Sequence, residues 1–138
     1  MVIQRIQSVY LFIAAILMAV FAFTSPFTVS CDGAQNVTSY PLMSNYILLS
    51  LVGLSAALAL VTIFKFKDLK MQSLLCVINI IIIIAMLATV ACLVYTTEKQ
   101  VTPRWPASFP ILAIICLLVA RRAIKHDIKL LNDSERIR

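Results

Sequence analysis

Four long runs of apolar residues divide the chain, and most polar residues lie between them. The runs predict four membrane spans, at residues 8–25, 45–64, 72–95 and 106–121. About 20 helical residues are needed to cross a hydrocarbon core of about 30 Å, and each run is close to that length. The third run includes an unbroken stretch of isoleucine from Ile80 to Ile84, a pattern typical of strands. We predict a helix there, because an isolated strand in lipid leaves its backbone groups unpaired.

The segments between the runs predict one membrane domain over residues 1–138. It has outer loops at 26–44 and 96–105, an inner loop at 65–71 and a tail at 122–138. The short inner loop makes the second and third spans an antiparallel pair. Residues 26–44 form either a β-hairpin around Asp32 to Gln35 or coil that covers the helix ends.

The two ends of the chain carry further alternatives. The first run has the length of a signal peptide, but Phe23 to Pro26 is a poor cleavage site, which favours a span. Beyond Ala120, apolar residues recur at helical spacing among basic residues. The fourth span therefore either continues as an amphipathic cytoplasmic helix or bends onto the membrane surface.

The basic residues predict the orientation. Of the twelve Lys and Arg residues, only Lys99 and Arg104 lie on the side of the outer loops. Short loops rich in Lys and Arg stay in the cytoplasm, so both termini are predicted to be cytoplasmic. The net charge of +6 then reflects this orientation and contact with anionic lipid headgroups, and no nucleic-acid partner is expected.

Composition sets the fold class. With 62% hydrophobic and 13% charged residues, the chain lies far outside the range of a soluble domain. We predict an all-α membrane protein with four transmembrane helices in an antiparallel bundle and a C-terminal cytoplasmic amphipathic extension.

Little in the spans predicts chemistry. Between their ends the spans contain no Asp, Glu, Lys, Arg or His, the residues that intramembrane enzymes and proton-coupled transporters use. We therefore expect neither catalytic residues nor a cofactor. The most costly polar group is Asn79, which is predicted to bond a neighbouring helix. Small residues in the second span, Gly53 with Ala57 and Ser55 with Ala59, favour contacts inside the bundle over a dimer interface.

The four cysteines are Cys31, Cys76, Cys92 and Cys116, and no C-x-x-C motif occurs. Buried cysteines usually act as small apolar side chains, and only Cys31 and Cys92 lie on the same outer side. A bond between these two would tie the outer loop to the bundle. No metal site is expected, since His126 is remote from the thiols. His126 and Asp127 are predicted to lie on a solvated helix face.

These observations favour a non-enzymatic structural or accessory protein with a membrane-protein partner or a second copy of the chain. The dense basic cluster of Arg121, Arg122, Lys125 and Lys129 is predicted to contact anionic lipid or a partner. One alternative is a binding protein or carrier for a lipid or other apolar molecule, with Asn79, Ser50 and Ser55 lining a cavity. A weaker alternative is a redox enzyme that uses Cys31 and Cys92.

Two stretches carry a family resemblance. The opening Ile3 to Leu11 and the ending Leu118 to Lys125, with Asp127 and Arg136 to Arg138, resemble an uncharacterised family of small four-helix Bacteroidota membrane proteins. Phe64 to Lys67, Gln72 and Asn79 are also similar to that family. The family is classed as a domain of unknown function, so the resemblance implies a bacterial inner membrane and no activity.

Overall fold

The described part of the chain forms four long α-helices, one short 3-10 helix and three short strands. In chain order the α-helices and strands are α1 (Val2–Phe23), β1 (Phe27–Ser30), β2 (Val37–Tyr40), α2 (Tyr46–Phe64), α3 (Leu69–Thr96), β3 (Gln100–Pro103) and α4 (Phe109–Ile137). The computed structural model describes residues 2–24, 27–30, 37–40, 45–65, 67–96 and 100–138. All four helices are long and apolar enough to cross a membrane.

The helices pack together as a ring. α1 packs against α2 and α4, and α3 packs against the same two helices. The buried positions follow one another in alternating steps of three and four residues, as in Gln72, Cys76, Asn79, Ile83, Met86 and Val90 of α3. The same alternation runs through α2 and α4. A step of 3.5 residues is the repeat of helices that pack side by side along their whole length, as in four-helix bundles.

The outer surface of the bundle is as apolar as its core. Large hydrophobic side chains are exposed on every helix, including Phe12, Ile47, Ile81 and Ile115. A helix that is apolar all round shows no amphipathic stripe, so α2 and α3 carry little pattern that separates inside from outside. Such helices are typical of a protein that is surrounded by hydrocarbon.

The three strands form one antiparallel sheet in the order β2-β1-β3. β1 pairs with β2, which confirms the hairpin over coil for this loop, although residues 31–36 lie outside the described residues. β1 also pairs with β3, and Thr28 lies opposite Thr102 with their hydroxyl groups hydrogen-bonded. This second pairing, which the sequence did not predict, joins the α1–α2 connection to the α3–α4 connection.

The sheet marks one end of the bundle. It follows α1 and α3 and precedes α2 and α4 in the chain, and we call this the sheet end. The opposite end, where residues 65–68 connect α2 to α3, is the turn end. α4 enters from the sheet through a 3-10 helix, Trp105–Ser108, with Pro106 and Pro110 in the first turns, where a missing N–H costs nothing. α4 then continues unbroken to Ile137, so the tail is a continuous helix.

Candidate functional site: the polar turn end

Buried polar side chains lie between the middle of α2 and the turn end. In the part of the chain that the structure describes, six polar side chains are buried: Gln7, Ser55, Thr62, Gln72, Asn79 and Asp127. Each helix contributes at least one of them, on the face that it turns to its neighbours. The sheet-end half of the core consists of apolar residues, among them Met18, Phe21, Val52, Ile83 and Leu117. The core is therefore apolar at the sheet end and partly polar towards the turn end.

The first polar contact joins the two ends of the chain. The side-chain amide of Gln7 on α1 donates a hydrogen bond to the Asp127 carboxylate on α4. Both residues are buried, with Gln7 1% and Asp127 9% exposed. A hydrogen bond to a charged group contributes about 1.5–3 kcal/mol, more than one between neutral groups. This contact fixes the beginning of α1 against the end of α4.

The prediction of a solvated face at His126 and Asp127 is wrong for Asp127. His126 is exposed, but Asp127 is buried. The buried repeat of α4 runs through Ala120 and Ile124 and reaches Asp127 one step later. α1 begins early enough, at Val2, to provide a neighbour at this level. The carboxylate is therefore part of the bundle.

The second polar contact joins α2 to α3. Ser55 Oγ donates a hydrogen bond to Asn79 Oδ1 at 2.6 Å, and both side chains are buried. Thr62, also buried on α2, donates a hydrogen bond from its hydroxyl to the carbonyl oxygen of Leu58 in its own helix, at 2.6 Å. Ser50, which was predicted to line a cavity with Asn79 and Ser55, is exposed and bonds the carbonyl oxygen of Ile47. The structure does not bring these three residues together.

The four basic residues of the predicted contact site do not share one surface. Arg122, Lys125 and Lys129 are exposed, whereas Arg121 is half-buried. The Arg121 Nε is buried without an acceptor among the described residues. Arg121 is therefore turned partly into the bundle, whereas the other three face outward.

A groove lies on the outward side of α4. It is lined by Ile115, Leu118, Val119 and Arg122 and has a volume of about 210 Å³. Its lining is apolar except at Arg122, which lies at the end towards the tail. The groove is therefore an apolar surface that ends in one positive charge.

The small residues of α2 divide between two faces. Ser55 and Ala59 are buried, so the predicted contact inside the bundle is confirmed for this pair. It is wrong for Gly53 and Ala57, which are exposed, and a Cβ added at Gly53 meets nothing within 4 Å. Side chains two positions apart on a helix point in directions that differ by about 200° around its axis. The pair Gly53 and Ala57 therefore lies on the opposite side of α2 from Ser55 and Ala59.

The described cysteines are separate free thiols. Cys76 is buried, Cys116 is half-buried and Cys92 is exposed near the sheet end of α3. The proposed partner of Cys92, Cys31, lies outside the described residues. Within the described ranges, no group of three or more His, Cys, Asp or Glu residues could hold a metal ion.

Sequence reasoning missed Gln7 and Gln72 as parts of the core. The signal that could have found Gln72 is its spacing: Gln72 and Asn79 are one seven-residue repeat apart, with Cys76 between them. Gln7 precedes Leu11 and Ala14 at the same spacing. In helices that are otherwise apolar all round, the positions of polar residues carry the information on the buried face.

The structure defines a bundle of four packed helices that are each suited to a membrane, with polar contacts near one end. The chain belongs to the family described as "Domain of unknown function (DUF4293)", whose model matches residues 3–137. This confirms the resemblance to an uncharacterised family. Among curated proteins, none matches the chain significantly.

Proposed function

We propose that this chain is an integral protein of the bacterial inner membrane that serves as a non-enzymatic structural or accessory subunit. The observation that carries the membrane assignment is the exposed apolar surface on all four helices. Residues such as Ile13, Leu54, Ile84 and Leu118 are 40% exposed or more. Soluble monomers rarely expose contiguous apolar surface of this extent, whereas lipid tails accept it.

The bundle is antiparallel in this proposal. Gln7 near the start of α1 contacts Asp127 near the end of α4, and Ser55 on α2 contacts Asn79 on α3. Gln7 is near the start of α1 and Asp127 is in the second half of α4, as antiparallel neighbours require. The three-stranded sheet, which links both outer connections, supports the same arrangement.

The turn end lies in the cytoplasm. Lys65, Lys67 and Lys70 follow or begin helices there, and the basic cluster of α4, from Arg121 onward, lies on the part of α4 that runs towards this end. A local excess of Lys and Arg keeps a membrane end in the cytoplasm. Both termini then lie inside, and the sheet lies on the opposite side of the membrane.

Two features support a structural role. The buried polar side chains of Gln7, Asp127, Ser55 and Asn79 bond one another across helices. Hydrogen bonds between helices, together with small residues, hold membrane bundles together where lipid provides no hydrophobic drive. The exposed tail and the basic face of α4 supply surface for a protein partner or anionic lipid.

Topology is tested with single cysteines in a chain whose native cysteines are replaced by alanine. Thr102→Cys in the sheet should react with a membrane-impermeant thiol reagent in intact cells. Ser134→Cys in the tail should react only after the membrane is permeabilised. Labelling of Ser134→Cys in intact cells, with Thr102→Cys protected, would reverse the orientation.

The accessory role is tested by affinity purification from native membranes at native expression. We expect a membrane-protein partner, or a second copy of the chain, at a fixed stoichiometry in mild detergent. Repeated recovery of the chain alone and monomeric would refute this role while leaving the membrane assignment intact.

A further inference from the structure

The outward side of α4 changes from apolar to basic along its length. Ile115, Leu118 and Val119 are exposed on it, and Arg122 and Lys125 follow on the same side. The buried residues Leu117, Ala120 and Ile124 face the opposite way. We call the residues Ile115, Leu118, Val119, Arg122 and Lys125 the α4 outer face. The chemical order on this face matches that of a lipid: hydrocarbon, then a charged headgroup.

The side chains of the α4 outer face leave a shallow, open groove between them. The groove of about 210 Å³ is walled by Ile115, Leu118 and Val119 and ends at Arg122. Branched apolar side chains on either side of a slot make van der Waals contact with a methylene chain. The guanidinium of Arg122 binds phosphate oxygens in a planar, two-donor geometry. Lys125, one turn further along the helix, adds a second positive charge beside it.

We propose that the α4 outer face binds one phospholipid with an anionic headgroup, with an acyl chain in the groove and the phosphate on Arg122 and Lys125. This site deepens the proposed function and rests on it, since the acyl chain reaches the groove only from a bilayer. A protein helix suits the groove less well, because helices approach closely over small residues and the walls here are branched.

The neighbouring arginine provides a comparison. Arg121 has the same charge and is the preceding residue, yet it is half-buried, its Nε is buried, and it does not line the groove. If general attraction to the membrane surface explained lipid binding, the two arginines would contribute equally to lipid retention. A specific site at the groove makes Arg122 more important than Arg121 for lipid retention.

The proposal is tested by native mass spectrometry of the full chain in mild detergent. The chain is titrated with phosphatidylglycerol or with phosphatidylcholine. We expect one phosphatidylglycerol to be retained in preference to phosphatidylcholine. Arg122→Gln should weaken its retention about tenfold, which corresponds to the loss of one charge-assisted hydrogen bond. The matched controls are Lys70→Gln, which removes an exposed charge at the turn end of α3, and Arg121→Gln.

A second variant separates the groove from the charge. Leu118→Trp leaves every charge in place and fills the slot, and it should reduce retention of phosphatidylglycerol as Arg122→Gln does. Glycerol 3-phosphate, which has the headgroup chemistry without acyl chains, should not displace the bound lipid.

Three outcomes would overturn the site. They are equal retention of the two lipids, equal effects of Arg122→Gln and Lys70→Gln, and displacement by glycerol 3-phosphate.

Extraction of the membrane fraction with alkaline carbonate distinguishes the lipid site from the membrane assignment on which it rests. Release of the chain by carbonate refutes the membrane assignment, and the lipid site with it. Retention of the chain without lipid selectivity refutes the lipid site alone.

Discussion

The two halves of the bundle core are held together by different means. Near the sheet end, the helices meet through large apolar side chains such as Met18, Phe21 and Met86, all fully buried. From the middle of α2 towards the turn end, buried apolar residues such as Leu11 and Ile124 are joined by the polar pairs Ser55–Asn79 and Gln7–Asp127. Both halves use the same 3.5-residue spacing, so the geometry of the helices is shared and only the side-chain chemistry differs.

The difference shows how a helix bundle can specify its pairing in lipid. Apolar side chains pack equally well against lipid tails and against other helices, so shape alone selects partners in the sheet-end half. A buried polar group has few acceptable partners, and it penalises a wrong register strongly. The turn-end half therefore determines register, and the sheet-end half contributes most of the contact area.

The largest effect is expected from Phe21→Ala, in the sheet-end half. Phe21 is 1% exposed and among the largest buried side chains. Truncation of a buried Phe typically costs about 3–5 kcal/mol through lost packing and the cavity left behind. The free energy of unfolding in mixed micelles measures this, with exposed Phe12→Ala on the same helix as control. Similar losses for the two variants would show that Phe21 is not a core residue.

The next effect is expected from Gln7→Leu, in the turn-end half. It leaves the buried Asp127 carboxylate without its donor, and we expect a loss of about 1.5–3 kcal/mol in the free energy of unfolding. Gln7→Leu combined with Asp127→Leu should be less destabilised than Gln7→Leu alone, because neither partner is then left unpaired. Additive losses in the double variant would mean that the two residues act independently.

The two small-residue faces of α2 give a third test. Ala59→Leu places three extra carbons in a position that is 1% exposed, and overpacking typically costs about 1–3 kcal/mol. Gly53→Leu on the opposite side meets open space and should change the free energy of unfolding by less than about 0.5 kcal/mol. Equal destabilisation by both variants would show that Gly53 also faces a tightly packed surface, such as a second copy.

The smallest effect is expected from Asn79→Leu. Hydrogen bonds between membrane helices contribute about 0.6 kcal/mol on average, with values up to about 1.7. We expect a loss near 1 kcal/mol, with unchanged lipid content by native mass spectrometry. Ser55→Ala should give a similar loss, and Asn79→Leu combined with Ser55→Ala should add little. A loss of retained lipid in Asn79→Leu would instead indicate a ligand role for the amide.

The sequence predicts the four helices well, because the length of each apolar run is enough by itself to predict a helix. About 20 apolar residues need to be helical in lipid whatever packs against them. It does not predict the buried face of α2 or α3, because the outward side is equally apolar and periodicity is lost. Polar residues at seven-residue spacing, Gln72 and Asn79, were the remaining signal for that face.

Two other features depend on contacts between distant parts of the chain. The basic neighbours of Asp127 in the sequence predict a solvated surface. In the fold, Asp127 is buried and accepts a hydrogen bond from Gln7, which lies 120 positions earlier. β3 lies within the predicted outer loop 96–105, and its four residues, with one proline, carry little strand signal. Its partner β1 lies more than 70 positions earlier, beyond the reach of local patterns.

The position of β1 in the middle of the sheet has a consequence for synthesis. β1 and β2 leave the ribosome before α3, and β3 follows only after α3 is complete. Until then one edge of β1 has unpaired N–H and C=O groups, which are open to pairing with other chains or to proteases. β3 closes that edge when it pairs with β1. A chain that stops after α2 therefore lacks β3 and leaves one edge of β1 unpaired.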